Sequence, residues 1–153
     1  MILLILFFLI LIIILFVQNN RWEPARAIFF PTKEITKIGH RGAPILAREN
    51  TLESFIKAFQ VGLKGVELDV QLSKDGELVI YHDWKLKNKH GRYEKISSID
   101  YADILTASNN NYHIPLLNEV LDILPKDRFI NIEIKSLSLF STGIEEKILR
   151  EII

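Results

Sequence analysis

Between positions 39 and 83 the chain sets two histidines, an arginine and alternating carboxylates into runs that are otherwise apolar. The segments are Gly39-His40-Arg41-Gly42, Glu49-Asn50-Thr51, Val66-Glu67-Leu68-Asp69-Val70 and Tyr81-His82-Asp83. Side chains alternate along a strand, so Glu67, Asp69 and Gln71 share one face and Val66, Leu68 and Val70 the other. The run 129–135 repeats the device, with Asn131, Glu133 and Lys135 on one face and Ile130, Ile132 and Ile134 opposite. Strands of a parallel sheet are normally buried on both faces, and a carboxylate buried without a counter-charge costs several kcal/mol. Two arrangements would neutralise the charge. Glu67, Asp69 and Glu133 could hold a hard divalent cation, Mg²⁺ or Ca²⁺, through oxygen ligands. Alternatively, Lys135 could form a buried salt-bridge network with Glu67 or Asp69. The spacing leaves both open.

His40 and His82 each close a strand-like run and each precede a charged residue. Imidazole both donates and accepts protons near neutrality. Two of them beside a divalent ion suit acid–base cleavage of a phosphate ester, with Arg41 holding a phosphate oxygen bidentately. Either histidine alone would read more simply as a polar strand-end residue. His90 and His113, which lie in a polar stretch, are read that way.

The elements that must position these groups follow from pattern. A short strand is expected over 34–39. Asn50 or Thr51 caps a helix in which Leu52, Phe55, Ile56 and Phe59 recur at helical spacing, ending near Gly62. A strand over 65–72 is followed by Ser73-Lys74-Asp75-Gly76, whose Asp-Gly signals a hairpin into a second extended run at 78–82. Residues 83–113 read as polar and irregular, loosest at Asn109-Asn110-Asn111, with room for a short helix at 98–105. A helix at 116–124 stops at Pro125. A strand at 129–135 and a helix from Ile144 complete the order, and strands alternating with helices predict parallel α/β architecture.

The chain has 153 residues, enough for one domain with its own core. Nineteen basic residues balance nineteen acidic ones, so no field that would recruit nucleic acid is present. Cysteine is absent, which excludes disulfides and thiolate metal sites. The 48% hydrophobic content is inflated by residues 1–17, which contain no polar or charged side chain. At about 1.5 Å per residue that run reaches roughly 25 Å, near the lower limit for a spanning helix. It lacks the amphipathic pattern of a core helix. No basic residue precedes it and Ala25-Arg26-Ala27 is a poor cleavage site, which argues for an uncleaved membrane anchor over a signal peptide. Residues 18–33, with Pro24 and Pro31, read as a tether with Trp22 at the interface. Arg21, Arg26, Lys33 and Lys37 place the soluble part, 34–153, on the cytoplasmic side.

His40-Arg41-Gly42, Glu49-Asn50-Thr51, Glu67-Leu68-Asp69-Val70, Lys74-Asp75-Gly76, His82-Asp83, Ile114-Pro115-Leu116-Leu117 and Asn131-Ile132-Glu133-Ile134-Lys135 occur in an order that resembles the glycerophosphodiester phosphodiesterase family. The resemblance runs from residue 35 to about 150. It implies a TIM-type (β/α)₈ barrel with the site at the C-terminal ends of the strands. It further implies His40 and His82 as acid and base, Glu67, Asp69 and Glu133 as ligands of Ca²⁺ or Mg²⁺, Arg41 and Lys135 as phosphate contacts, and Glu49 and Asn50 as supports. The implied reaction is hydrolysis of a glycerophosphodiester to glycerol 3-phosphate and an alcohol. A phosphatidylinositol phospholipase C-like enzyme shares the barrel and the paired histidines, but the Glu-Asn-Thr and Glu-x-Asp motifs favour the first family. Arg48 stands where the family usually has proline. About three βα units are present where a whole barrel takes roughly 250 residues, so a truncated barrel, or an inactive membrane-bound fragment, is also expected.

Overall fold

The structure, a computed structural model, describes residues 2–20, 35–88, 90–108, 112–136 and 142–153. The chain divides into two units, residues 1–34 and 35–153. In the first, α1 (Ile2–Asn20) confirms that the apolar run is helical, and its described side chains, 4–17, are all exposed. Among the described residues no helix is long and apolar enough to cross a membrane. The expected tether beyond residue 20, with Trp22, Pro24 and Pro31, lies outside the described residues, as do Asn109 to Asn111.

The second unit is built on β2 (Gly65–Leu72), the central strand of its sheet. Along one edge β6 (Phe129–Ile134) runs parallel to it, in register from Gly65 opposite Phe129 to Val70 opposite Ile134. Along the other edge β1 (Ile38–Gly39) pairs in parallel with Gly65 and Val66, and β3 (Leu78–Ile80) pairs antiparallel with Val70 to Leu72. The parallel α/β arrangement is therefore the one expected, with the Asp-Gly hairpin inserted at the end of its central strand. The first strand is shorter than expected: only Ile38 and Gly39 join the ladder, and Ile35 is exposed.

Helices α2 (Leu52–Gln60), α4 (Leu117–Ile123) and α5 (Ile144–Ile152) supply the other side of the core. Phe55, Ala58, Leu117, Val120, Ile144 and Ile148 pack with Val66, Leu68 and Val70 of β2. Thr51 caps α2, its hydroxyl accepting the Ser54 N–H at 3.2 Å, so the chain enters the helix at a fixed angle from the loop that carries Arg41 and Asn50. The expectation of burial on both faces holds for β2, whose Glu67, Asp69 and Gln71 are buried as fully as its aliphatic residues. It fails for β6, where Asn131 and Glu133 are exposed. Among the described residues no strand pairs with the outer edge of β6.

The stretch read as irregular contains more order than its composition suggests. It forms a hairpin of β4 (Lys85–Lys87) and β5 (Tyr93–Lys95), a 3₁₀ turn at Ile96–Ser98 and α3 (Tyr101–Ala107). Leu86, Ile96, Ile99, Ile104 and Ile114 gather beside Val79 into a second cluster. The short helix is the one expected near 98–105, whereas each strand of the hairpin offers one apolar side chain, too few to show a period.

The β2–β6 register is tight at its start, because a Cβ on Gly65 would stand 2.6 Å from the Phe129 carbonyl oxygen. Gly65→Ala is expected to destabilise the domain by about 2 kcal/mol through forced separation of the strands, measured as a lowered urea midpoint at unchanged slope. An unchanged midpoint would show that the strands do not pack this closely.

Candidate functional site

Glu67 and Asp69 project from one face of β2, and the register sets Glu133 of β6 directly opposite Asp69. One oxygen from each of the three carboxylates lies within 4.8 Å of the others. The chain after β1 folds over this cluster. Arg41 takes a left-handed backbone, φ 56°, and donates its N–H to Glu67 Oε2 at 2.8 Å. Its guanidinium Nη1 donates to both Glu49 oxygens at 3.1 and 3.2 Å, and its Nε stands 3.4 Å from Asp69 Oδ2. Asn50, also left-handed at φ 55°, donates its side-chain N–H to Asp69 Oδ2 at 2.8 Å and accepts the Asp69 N–H at 3.4 Å. Such backbone conformations cost of order 1–3 kcal/mol each in residues other than glycine. Ser54 stabilises the loop: its hydroxyl accepts the Ala43 N–H at 2.8 Å and donates to the Arg41 carbonyl at 3.0 Å. Gly42, at φ 89°, leaves the room this needs, since a Cβ there would lie 2.4 Å from Ser54 Oγ.

Lys135, just past β6, brings Nζ to 3.1 Å from Asp69 Oδ1 and donates to Glu133 Oε1. The salt-bridge arrangement anticipated from the sequence is thus partly present, on Asp69 rather than Glu67. It does not complete the site. Glu67 Oε1 is buried with no hydrogen-bond partner, and Asp69 Oδ1 has its ion pair but no hydrogen bond. A buried, unpartnered Glu67 oxygen beside two further carboxylates fits a hard divalent cation, which takes oxygen ligands. Burial pushes the Glu67 carboxyl above its ordinary value; the Arg41 N–H opposes the rise and the Asp69 charge adds to it. Burial lowers Lys135, but Glu133 and Asp69 outweigh it and hold the ammonium above its usual range.

His40 follows β1 and stands 3.9 Å from Glu67 Oε2, with a side chain 69% exposed. His82 arrives by the hairpin: β3 returns the chain along β2 until the Tyr81 N–H donates to the Asp69 carbonyl at 3.0 Å. The His82 Nδ1 lies 2.9 Å from Asp83 Oδ1. An ionised carboxylate only accepts, so Nδ1 carries the proton and Nε2 is the free basic nitrogen. A small cavity joins His82 to Glu49, Asn50, Asp83, Arg48 and Tyr112. Glu49 and Asn50 contact other expected site residues, one Arg41 and the other Asp69. His113 pairs with Glu119 at 3.0 Å and His90 is exposed on the hairpin loop, so both stay outside the site.

Two residues escaped sequence reasoning. Arg48 stacks its guanidinium 3.5 Å over the Tyr112 ring, a contact between residues far apart in sequence with no local signal. Gln71 donates from Nε2 to the Tyr81 carbonyl at 2.7 Å and the Asp83 carbonyl at 2.9 Å. Its place on the Glu67–Asp69 face was the available clue.

Comparison with solved structures places this arrangement of strands and helices in the TIM-barrel-type fold of the phosphodiesterases, covering about half of each neighbour. The glycerophosphodiester phosphodiesterase structure from Thermotoga maritima superposes with a TM-score of 0.65 at 37% identity, over 78% of this chain and 50% of that one. A phosphodiesterase from Oleispira antarctica, solved with sn-glycerol-3-phosphate, gives 0.58 at 31% identity, over 76% of this chain and 49% of that one. The glycerophosphodiester phosphodiesterase of Caldanaerobacter subterraneus subsp. tengcongensis is 38% identical over 124 residues, 75% of this chain and 51% of the relative. Residues 40–148 match the glycerophosphoryl diester phosphodiesterase family, and the chain belongs to that family. It spans about half the length of the relatives it matches.

The raised Glu67 carboxyl fixes the sign of a pH effect. The folded state binds that proton more tightly than the unfolded one, so ionised Glu67 destabilises the metal-free fold above its folded pKa. Glu67→Gln is expected to stabilise the metal-free protein at pH 7, with the gain fading as pH falls towards the unfolded value of 4.5. Denaturant melts of both proteins in EDTA would show this, and a Gln variant less stable at pH 7 than at pH 4.5, relative to wild type, would contradict it.

Proposed function

We propose that this chain carries the site of a metal-dependent glycerophosphodiesterase, in which Glu67, Asp69 and Glu133 would hold Ca²⁺ or Mg²⁺ and His40 and His82 act as acid and base. The observation that carries the reading is the meeting of the three carboxylates within 4.8 Å, with a buried, unpartnered oxygen on Glu67. When bound, the ion would neutralise phosphate charge and polarise the ester. The chain's own groups do the rest. Arg41 and Lys135 both border Asp69 and present N–H donors to phosphate oxygens. The free Nε2 of His82 takes a proton from the attacking hydroxyl, or in the protonated form gives one to the departing alcohol. His40, mostly exposed beside Glu67, serves the opposite step.

The substrate class, a glycerophosphodiester yielding glycerol 3-phosphate and an alcohol, is supported by the family membership and by the product bound in the Oleispira antarctica relative. The same arrangement could bind a phosphodiester without turning it over, since only about half of a relative's length is present. The full chain, assayed on glycerophosphocholine with Mg²⁺ or Ca²⁺, is expected to release glycerol 3-phosphate. EDTA should abolish the release, and His82→Ala should slow it by about 100-fold or more. Absence of release by the wild-type chain under all metal conditions would sink the hydrolase reading.

We also infer that α1 attaches the chain to a membrane, with the remaining residues on the cytoplasmic face. The support is compositional: the run is unbroken in apolar character, and Leu4 to Val17 are exposed in the helix. The chain is expected to remain in the membrane pellet after alkaline carbonate washing; recovery in the supernatant would count against an anchor.

A further inference from the structure

We propose that Gln71 is the positioning residue for His82, holding the peptide that carries both His82 and its partner Asp83. This rests on the reading of His82 as an acid–base group. The ladder of β3 ends at Ile80, so strand pairing stops two residues short of the histidine. Beyond that point the segment is fastened to β2 by the Tyr81 N–H on the Asp69 carbonyl and by the Gln71 side chain on the Tyr81 and Asp83 carbonyls. These two carbonyls flank His82 on either side. Both are acceptors, which dictates that the amide nitrogen, not the amide oxygen, faces them. Gln71 is itself buried, on the face that carries Glu67 and Asp69.

The His82–Asp83 bond cannot fix its own position. The Asp83 side chain is 70% exposed and that of His82 33%, and an ion pair so open to water contributes little. It constrains the imidazole only if the backbone beneath both residues is already held. A single buried amide, using both of its N–H groups, fixes that backbone and also ties it to the strand of the acidic cluster. A sub-ångström change in Gln71 would therefore reach the imidazole through two peptide units.

Gln71→Glu keeps the shape but turns a donor into an acceptor facing two carbonyls, and Gln71→Leu removes the polar group. The full chain, labelled with ¹⁵N-histidine and with the His82 resonances identified by His82→Ala, distinguishes positioning from mere stability. In the wild type the His82 nitrogens should show one protonated and one bare imidazole nitrogen at pH 8. In the two variants the pair should move towards the averaged shifts of a free imidazole while melting stays cooperative, with Gln71→Glu, which buries a charge, melting below Gln71→Leu. Where the wild type hydrolyses substrate, kcat should fall about tenfold or more with KM nearly unchanged. Unchanged His82 resonances in the folded variants would overturn the proposal. So would loss of cooperative melting in both variants, which would assign Gln71 to stability alone. Averaged His82 resonances in the variants of a wild type that hydrolyses nothing would support the positioning role and sink the hydrolase reading instead.

Discussion

The unit is organised by the burial of two negative charges on its central strand. Glu67 and Asp69 sit on β2 with 6% and 0% of their surface exposed, where charge is tolerated only with partners. Nearly every irregular feature nearby answers to them. The left-handed turn at Arg41 aims a backbone N–H at Glu67, the left-handed Asn50 aims an amide at Asp69, and Lys135 leaves β6 in position to reach Asp69. Strained backbone, a glycine without room for a side chain and a serine bridge are thereby explained as one structure. Even so, an oxygen of Glu67 remains unpartnered, which marks the place where the protein part of the site ends.

Much of this was legible in the sequence because charge placed at alternate positions of an apolar run has few physical explanations. The strand 65–72, the capped helix after Thr51, the Asp-Gly hairpin and the acidic faces of two strands all depend on period, and period is local. The hairpin 85–95 was not legible, because three-residue strands with one buried leucine give no repeat. Nor was the stack of Arg48 on Tyr112, or the two carbonyls held by Gln71, since both depend on which segments meet in space. The burial of β2 was anticipated and the exposure of β6 was not. Valine and leucine alternate with polar residues on β2 as isoleucine does on β6, and only the neighbours available to each strand set them apart.

Arg48 also takes on meaning from the fold. The side chain bears a cation on an aromatic face beside the cavity that contains His82. Stacking on the ring restricts the side chain and so orients its charge, while the guanidinium edge stays available for hydrogen bonding. The segment from Arg41 to Asn50 therefore borders the cavity beside His82 as well as holding the Arg41–Glu49 pair.

The pairing of Asp69 with Glu133 across parallel strands has a kinetic corollary. Parallel neighbours are necessarily remote along the chain, and here, among the described residues, two hairpins, two helices and a second apolar cluster intervene. The acidic triad cannot exist in any locally folded intermediate; it comes into being only when that long loop closes and β6 docks. Any ion that needs all three oxygens is thus excluded from the early ensemble. If bound, it would act late, stabilising the docked topology and drawing the equilibrium towards it.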